Sequence, residues 1–592
     1  MSRALFRRLH ARSGLAVTIL VSRNDVDSLC ALKILVSLLR DNNITYSVFP
    51  VAGYDNLYEH NGRFGGEEER AVVLLNCGAT DDLGEALGLT EMGGARAWVI
   101  DCHRPINHRN LSESNRRVAV LVDDEDMRER LDLDEQGALD SDSDEDDEDD
   151  DSAEQNRARQ ARRAARAAYY LRGNFFGRPC GSSAFELAKH QYKHDTDMVW
   201  HSLVALEDHF LHDRMTRDEY ERMVETMQDE VRELEGSRQA ETTVRLEDGT
   251  TVSSANADQI VQVAELRLPL LRHWSLYESL MHSQYVATKL HTWTTPGQQK
   301  VNTMLAQMGV ALSEARQRYA HMSVDLKNSL GLKLDQHGPL YELDEVTFTS
   351  FSRQKGHAIN VSASDVVEAA SAVLELTPLD SDDGFHRALE VLSLEGASLE
   401  RGLDRAMTLQ RAIMRQAGQV ITKRGCVNQG PFFVVDLDSY SDHDILCHPL
   451  ALSRLALFLL AYHQSKNKYR HKPLIIIVPV PGTEPPQKLV MGIPPTPRHA
   501  SKRSNQFELA FRTAADVDYL AEGFDGSMVQ IESDAFQRFL IKLKTAYYDL
   551  GEKQQDEAAA LAEPSEDGGA DSGYELGDEA DANLGDALSD EL

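Results

Sequence analysis

The residues of this sequence best suited to chemistry are Asp25, Asp27, Asp101 and His103. Carboxylates and imidazoles are the donors with which phosphoesterases hold two divalent ions about 3.5–4 Å apart, clamping the attacking and leaving oxygens. Asp208 is a fifth candidate. The surrounding positions fall short of that set. Arg23 is an obligate cation and Asn76 a neutral amide, and both stand at strand ends where further ligands would be needed. Cys102 offers sulfur, which does not repair a site for hard cations. Weak binding of one ion is compatible with these residues, whereas an efficient pair is not favoured.

The elements that must position these groups are short apolar runs. Residues 15–21 lead into Ser22, Arg23, Asn24, Asp25 and Asp27; residues 71–75 lead into Asn76, Cys77 and Gly78; residues 97–100 stop at Asp101 and pass to Cys102, His103, Arg104 and Pro105. Near-continuous apolar strands with polar ends are expected in the middle of a parallel sheet, where ligands sit beyond the carboxyl ends. Asp25, Asp27, Asn76, Asp101 and His103 should therefore share one crevice, either a metal site or the remains of one. Leu29, Leu32, Leu35, Val36 and Leu39 recur at helical spacing, so strand one should feed a helix, and further strands are expected at 45–50 and 118–122. Such strand and helix alternation predicts an α/β sheet covered on both faces.

Other polar clusters have plainer readings. Residues 198–210 read as a buried helix carrying Asp208, with His209 and His212 near its end as surface or capping histidines. The glycine-rich turn 175–183 could approach a phosphate, but it lacks the Gly-Lys-Ser/Thr ending of a nucleotide loop. Blocks 215–234 and 261–334 read as mostly helical, with a small hairpin at 243–252 and with Trp274 and Tyr277 as packing residues. A second α/β body follows from about 341, including short strands at 507–511 and 527–531 and a last helix over 534–548.

The formal net charge of −34 is concentrated in two tracts, −17 at 123–154 and −13 at 552–592, so the remaining chain carries only −4. Both tracts are expected to be disordered, because they repel themselves and cannot bury an apolar face. Arg157, Arg159, Arg162, Arg163 and Arg166 follow the first tract on an expected helix and could pair with it or face nucleic acid. Phosphorylation at Ser141, Ser143, Ser565 or Ser572 would deepen the local charge and act through recruitment. The six cysteines lack metal-ribbon spacing, and no apolar run reaches the roughly 20 residues of a membrane span. The expected compartment is intracellular and reducing.

The motifs Asn24-Asp25-Val26-Asp27-Ser28, Asn76-Cys77-Gly78 and Asp101-Cys102-His103-Arg104-Pro105 resemble the first three motifs of the DHH phosphoesterase superfamily, the fold of RecJ-type nucleases. Against its pattern, Arg23 replaces a histidine, Ser28 a glycine, Asn76 an aspartate and Cys102 the middle histidine, while Asp208 matches the fourth-motif aspartate. The chain is more closely similar to the family of cell division control protein forty-five. That likeness runs through residues 26–30, 75–78, 101–107, 176–180, 272–277, 282–283, 308–309 and 364–367.

The resemblance implies a RecJ-like parallel-sheet domain in two parts, 1–122 and 157–215, around an acidic loop at 123–156. It further implies a helical inter-domain at 216–335, a second α/β domain at 336–551 and an acidic tail at 552–592. The implied job is that of a non-enzymatic subunit of the replicative helicase in the nucleus. It would join the MCM ring and the GINS complex and work with loading factors and polymerase, with single-stranded DNA contact as a secondary role. Asp25, Asp27, Asn76, Asp101, His103 and Asp208 would then be vestigial, and no cofactor is expected. The alternative is an active metal-dependent phosphoesterase or single-strand exonuclease; a weaker third reading is a chaperone of basic proteins.

Overall fold

Residues with alternating apolar faces build the first sheet, and its two sides are legible in what each strand residue touches. In the computed structural model, β1 (Val17–Ser22), β2 (Tyr46–Val51), β3 (Arg70–Leu75) and β4 (Ala95–Ile100) run parallel, joined by a β6 strand at Val118–Val120. The order is β2-β1-β3-β4-β6, and β5 (His103–Arg104) leaves this sheet to pair elsewhere. The structure describes residues 16–562 apart from 62, 65–68, 90–93, 136, 139–152, 246–250, 254–257, 356–358, 378–381, 395, 466–471, 496–502, 515–519 and 522.

Val17, Ile19, Val73 and Trp98 face one core, under α1 (Val26–Asp41). Leu20, Val72, Leu74 and Val99 face the other, with Leu83, Ile106 and Leu111. Both faces being covered explains why the strands read as unbroken apolar runs.

The acidic stretch departs from expectation at its start. Asp124–Glu135 is a helix, α2, and Asp126 on it is buried against Arg104, with Arg104 Nε to Asp126 Oδ1 and Nη2 to Oδ2 both at 2.6 Å. A bidentate pair of this kind offsets the cost of burying each charge, which composition alone does not register. Helix α3 (Ala153–Leu171) follows. Ser141 and Ser143, and likewise Ser565 and Ser572, lie outside the described residues. Next come β7 (Phe175–Phe176), which pairs with β5, then α4 (Cys180–His190), α5 (Thr196–Leu211) and α6 (Arg217–Thr242). Helices α4 and α5 contribute Cys180, Phe185, Val199 and Trp200 to the α1 side of the sheet.

The block expected to be helical from 261 begins instead with a strand, β8 (Asp258–Leu266), antiparallel to β9 (Thr347–Lys355), which also pairs with β10 (Ile359–Ser362). Ile260, Gln262, Ala264 and Leu266 point one way and Val261, Val263 and Glu265 the other, a period of two that suits a strand. The expected hairpin is present as Thr243–Arg245 paired with Thr251–Ser253. Five helices lie between β8 and β9: α7 (Leu276–His282), α8 (Gln284–Leu290), α9 (Thr295–Gln307), α10 (Leu312–Arg316) and α11 (Val324–His337). They share a core that includes Leu280, Val301, Met304 and Leu330.

Helices α12 (Ala363–Glu375), α13 (Asp383–Leu392) and α14 (Gly396–Thr422) lead into the second α/β body. Its six-stranded sheet contains β11 (Cys426–Gln429) and β12 (Phe432–Asp436), then, after helix α15 (Pro449–Gln464), β13 (Leu474–Val480) and β14 (Gln487–Ile493). Two further strands, β15 (Leu520–Ala521) and β16 (Met528–Glu532), complete the order β11-β12-β13-β14-β16-β15. Residues 507–511, expected as a strand, belong to a helix, Phe507–Ala514, because Phe507, Ala510, Phe511 and Ala514 bury one helical face. The last helix, Phe536–Ala562, runs past the expected end at 548. The described residues up to Leu550 belong to one compact unit, and 551–562 belong to a second. No helix among the described residues is long and apolar enough to cross a membrane.

Candidate functional site

Asp25 ends the extended link after β1 and caps α1, its Oδ2 accepting from the Ser28 amide at 2.9 Å. Asp27 sits in the first turn of that helix and is fully buried. At the end of β3, Asn76 takes a left-handed backbone (φ 50°), a conformation an asparagine tolerates better than most residues. Its Oδ1 accepts from the Cys102 amide at 3.0 Å, which fixes the orientation of the side-chain amide. The Nδ2 then donates to Asp25 Oδ2 at 2.8 Å and to Asp27 Oδ2 at 2.9 Å. An aspartate here would add a third carboxylate, whereas the amide supplies two protons where a cation would otherwise be needed.

The Asp27 carboxylate takes three further donors. Cys180 N and Gly181 N, both at 2.7 Å, present the start of α4 to it, and His209 Nε2 lies 3.0 Å away. The glycine-rich turn thus does hold an anion at a helix N-terminus, but the anion is a side chain of this same molecule. Gly181 fits only because it lacks a Cβ, which would lie 2.5 Å from the Ala205 Cβ. His209 corrects the sequence reading: it is not a surface or capping residue but wholly buried in the site. Helix α5 is buried on nearly every side, so no exposed stripe marked the face on which His209 lies. His212 is the C-cap of α5, as expected, and it too is buried, its Nδ1 3.0 Å from Asp208 Oδ1.

Arg214 was not singled out in the sequence because it follows a helix in a turn and belongs to no motif. Its Nη1 lies 2.7 Å from Asp25 Oδ1 and 3.1 Å from Asp208 Oδ2, while its guanidinium sits 5.3 Å over the Phe176 ring. Arg23, by contrast, reaches away toward Asp382 at 3.5 Å. Asp101 accepts from the Ala79 amide at 3.0 Å and the His103 amide at 2.9 Å, and its Oδ1 lies 2.7 Å from His103 Nδ1.

The electrostatics follow from these partners. Burial alone would raise the Asp25 pKa, but the charge and hydrogen bond of Arg214, with the hydrogen bonds from Asn76 and the Ser28 amide, hold it far below the usual carboxylate range. Burial likewise opposes ionisation of Asp101, and the charge and hydrogen bonds of His103 outweigh it. For His103, burial lowers the pKa and Asp101 more than restores it, so the imidazole is raised above its ordinary value. Burial, then the charges of Asp27 and Asp101, push the Cys102 thiol well up, leaving it a neutral S–H.

Among the described residues, two triads bring ligand atoms within 4.8 Å of one another: Asp27, Cys102 and His209, and Asp101, Cys102 and His103. Both depend on Cys102, and in the first the carboxylate of Asp27 already accepts four N–H groups. This donor set does not fit a pair of hard divalent ions. A cleft of about 180 Å³ opens beside Asp25, His103, Arg104, Phe176, Arg214 and Arg503.

A model of the CDC45 family matches residues 17–163 and 151–546. The chain belongs to the CDC45 family. It is 30% identical over 619 residues to the cell division control protein 45 homolog of Schizosaccharomyces pombe, covering 88% of this chain and 94% of that relative. The human homolog is 29% identical over 551 residues, covering 87% and 94%. A crystal structure of CDC45 from Entamoeba histolytica shares the fold with a TM-score of 0.68 at 21% identity, over 92% of this chain and 98% of that one. The α/β architecture with its inserted helices is thus that of CDC45.

Beyond its crevice, this CDC45-family chain carries Arg157 and Arg163 exposed on α3, and Arg159, Arg162 and Arg166 half-buried there. Arg166 Nε donates to the Ala138 carbonyl at 2.6 Å. Trp274 is buried, stacks on His282 with centroids 5.0 Å apart and carries the Arg411 guanidinium at 4.7 Å. Tyr277 packs on the helical core and is covered by Arg316 at 4.8 Å.

Proposed function

We propose that this chain is a non-enzymatic scaffold subunit and activator of the eukaryotic replicative DNA helicase. In this reading it joins the MCM ring to GINS, receives loading factors and polymerase, and works on chromatin in the nucleus at replication origins and forks. Arg157, Arg159, Arg162, Arg163 and Arg166 are its proposed secondary contacts to single-stranded DNA, through phosphate. Phosphorylation of Ser141, Ser143, Ser565 and Ser572 is proposed to act in recruitment. Its proposed organisation follows the six segments 1–122, 123–156, 157–215, 216–335, 336–551 and 552–592.

The observation that carries this reading is the internal neutralisation of the crevice. Asp25, Asp27 and Asp208 are partnered by Asn76, Arg214, His209 and two backbone amides, all from this chain. Carboxylates satisfied in this way have little capacity left for metal, so binding of partners is the use that remains.

Reconstitution tests both halves. Unwinding of a forked duplex by the MCM ring and GINS should require this chain, and single-stranded DNA incubated with it and manganese should remain intact. The two triads around Cys102 favour a second reading, a residual metal-dependent phosphoesterase. Manganese-dependent cleavage lost in Asp101→Ala would establish that reading and remove the first.

A further inference from the structure

The outer edge of β11, at one end of the second sheet, plays no part in the crevice. Phe433 N donates to Pro473 O and Leu437 N to Ile477 O, each at 2.9 Å, so Phe433 and Val435 bond toward β13 and Phe432 and Val434 toward β11. In the antiparallel register Val427 faces Val434 and Gln429 faces Phe432, which turns the backbone N–H and C=O of Cys426 and Asn428 outward. Among the described residues nothing hydrogen-bonds to those outward groups.

The two faces of this edge differ in character. Val427 and Gln429 share the side of Phe432 and Val434, where the last helix packs. There Val427 is 52% exposed, and Tyr548 on that helix is 55% exposed. A Cβ on Gly430 would lie 3.2 Å from Tyr548 Oη, which sets the tyrosine at the turn joining β11 to β12. Cys426 and Asn428 share the other side with Phe433 and Val435. On that side Lys472 Nζ sits 5.7 Å over the Phe433 ring and donates to Asn428 Oδ1 at 2.7 Å and to Gly430 O at 2.8 Å. Lys423 Nζ sits 4.7 Å over the ring of Tyr440, which packs on the same core and reaches Gly425 just before the strand. The partners of both ammonium groups are neutral, and among the described residues neither group lies in an ion pair. Two positive charges thus flank Cys426 and Asn428 on the face away from Val427.

We propose that β11 takes an extended segment of a partner protein in which apolar and acidic residues alternate. The segment adds as a seventh strand, bonding to the Cys426 and Asn428 backbone. Successive side chains of a strand point to opposite faces, so its apolar residues cover Val427 and Tyr548 while its carboxylates emerge beside Lys423 and Lys472. The placement of apolar surface and positive charge on opposite faces is what selects alternation. A segment of uniform character would leave either the apolar side chains in water or the two ammonium groups without a counter-charge.

The test uses the full chain and a fluorescein-labelled decapeptide of alternating Val and Glu. It is compared with alternating Val and Lys, with the same Val and Glu residues arranged as two blocks, and with a ten-nucleotide oligothymidylate. Anisotropy should show the alternating Val-Glu peptide binding about tenfold tighter than either other peptide, with binding weakened by salt as an exposed charge contact requires. Residue-resolved hydrogen exchange should slow by about tenfold at Cys426 and Asn428 and change less at Val427 and Gln429, which already bond to β12. Asn428→Pro removes an outward N–H that the ladder does not use and should weaken binding about tenfold. A chain carrying Lys423→Glu and Lys472→Glu should lose the preference for Glu over Lys. Equal binding of the three peptides, equal protection by the oligothymidylate, protection that omits Cys426 and Asn428, or undiminished affinity in Asn428→Pro would each overturn the proposal. Should the substituted chains fail to fold, the peptide preference and exchange pattern of the unsubstituted chain decide the matter alone.

Discussion

Arg214 Nη1 lies 2.7 Å from Asp25 Oδ1, although 189 residues separate the two in the chain. The same guanidinium reaches Asp208, so one cation from a turn serves carboxylates on two helices. Arg214→Ala would leave two buried charges without that partner. It should cost about 3–5 kcal/mol in denaturant unfolding, the usual penalty for breaking a buried pair. Manganese should restore part of that loss in the variant and leave the parent unchanged; an equal effect on both would show that Arg214 is not the resident counter-ion.

Asn76→Asp tests the amide directly. The substitution removes the donors to Asp25 and Asp27 and sets a third carboxylate beside them. A loss of about 2–5 kcal/mol is expected at neutral pH. The deficit should shrink in acid, as the crowded carboxyls take up protons. Urea titrations at pH 7 and in mild acid would read this, and an unchanged midpoint at pH 7 would contradict the geometry.

The Asp101 and His103 pair has a defined pH window. Asp101 is depressed below 3.8, so its contribution is present above that value and is lost as pH falls through the folded value. His103 is raised above 6.5, so its contribution is complete below 6.5 and is lost as pH rises through the raised value. The difference in Tm between the parent and His103→Gln should therefore be largest between those limits and narrow in alkali. A difference that widens above pH 8 would refute the assignment.

Glu207 predicts the opposite profile from that of a salt-bridged carboxylate. Burial lifts its pKa from 4.5 to about 7, against hydrogen bonds from Ser364, Tyr220 and Ser350. Its protonated form is favoured by folding, so its contribution is complete below 4.5 and is lost as pH rises through 7. The loss is about 3 kcal/mol. Glu207→Gln should consequently gain stability relative to the parent between pH 5 and 8, measured by chemical unfolding. A constant difference across that range would count against it.

Gly181→Ala probes the seat of Asp27. The added methyl would meet Ala205 at 2.5 Å and Asp27 Oδ1 at 3.3 Å, so α4 must shift from both. Overpacking of this kind costs about 1–3 kcal/mol. Thermal unfolding identical to the parent would mean that α4 is not clamped to the carboxylate.

What the sequence determined by itself was local. The apolar runs before Asp25, Asn76 and Asp101 specify strands, and strands covered on both faces must run parallel and gather their polar ends in one crevice. The substitutions at Asn76 and Cys102 already spoke against a two-metal centre, through donor chemistry alone. Only the tertiary structure decided how the carboxylates are satisfied, because their partners come from distant elements: Cys180 and Gly181 at the start of α4, His209 on a helix without an exposed face, and Arg214 in a turn. The helix at Asp124–Glu135 was hidden for the same reason, since its acidic composition predicts coil until Arg104 is seen to pair with Asp126. Periodicity records which faces are apolar. It does not record which charge, far along the chain, folding will set within hydrogen-bonding reach of another.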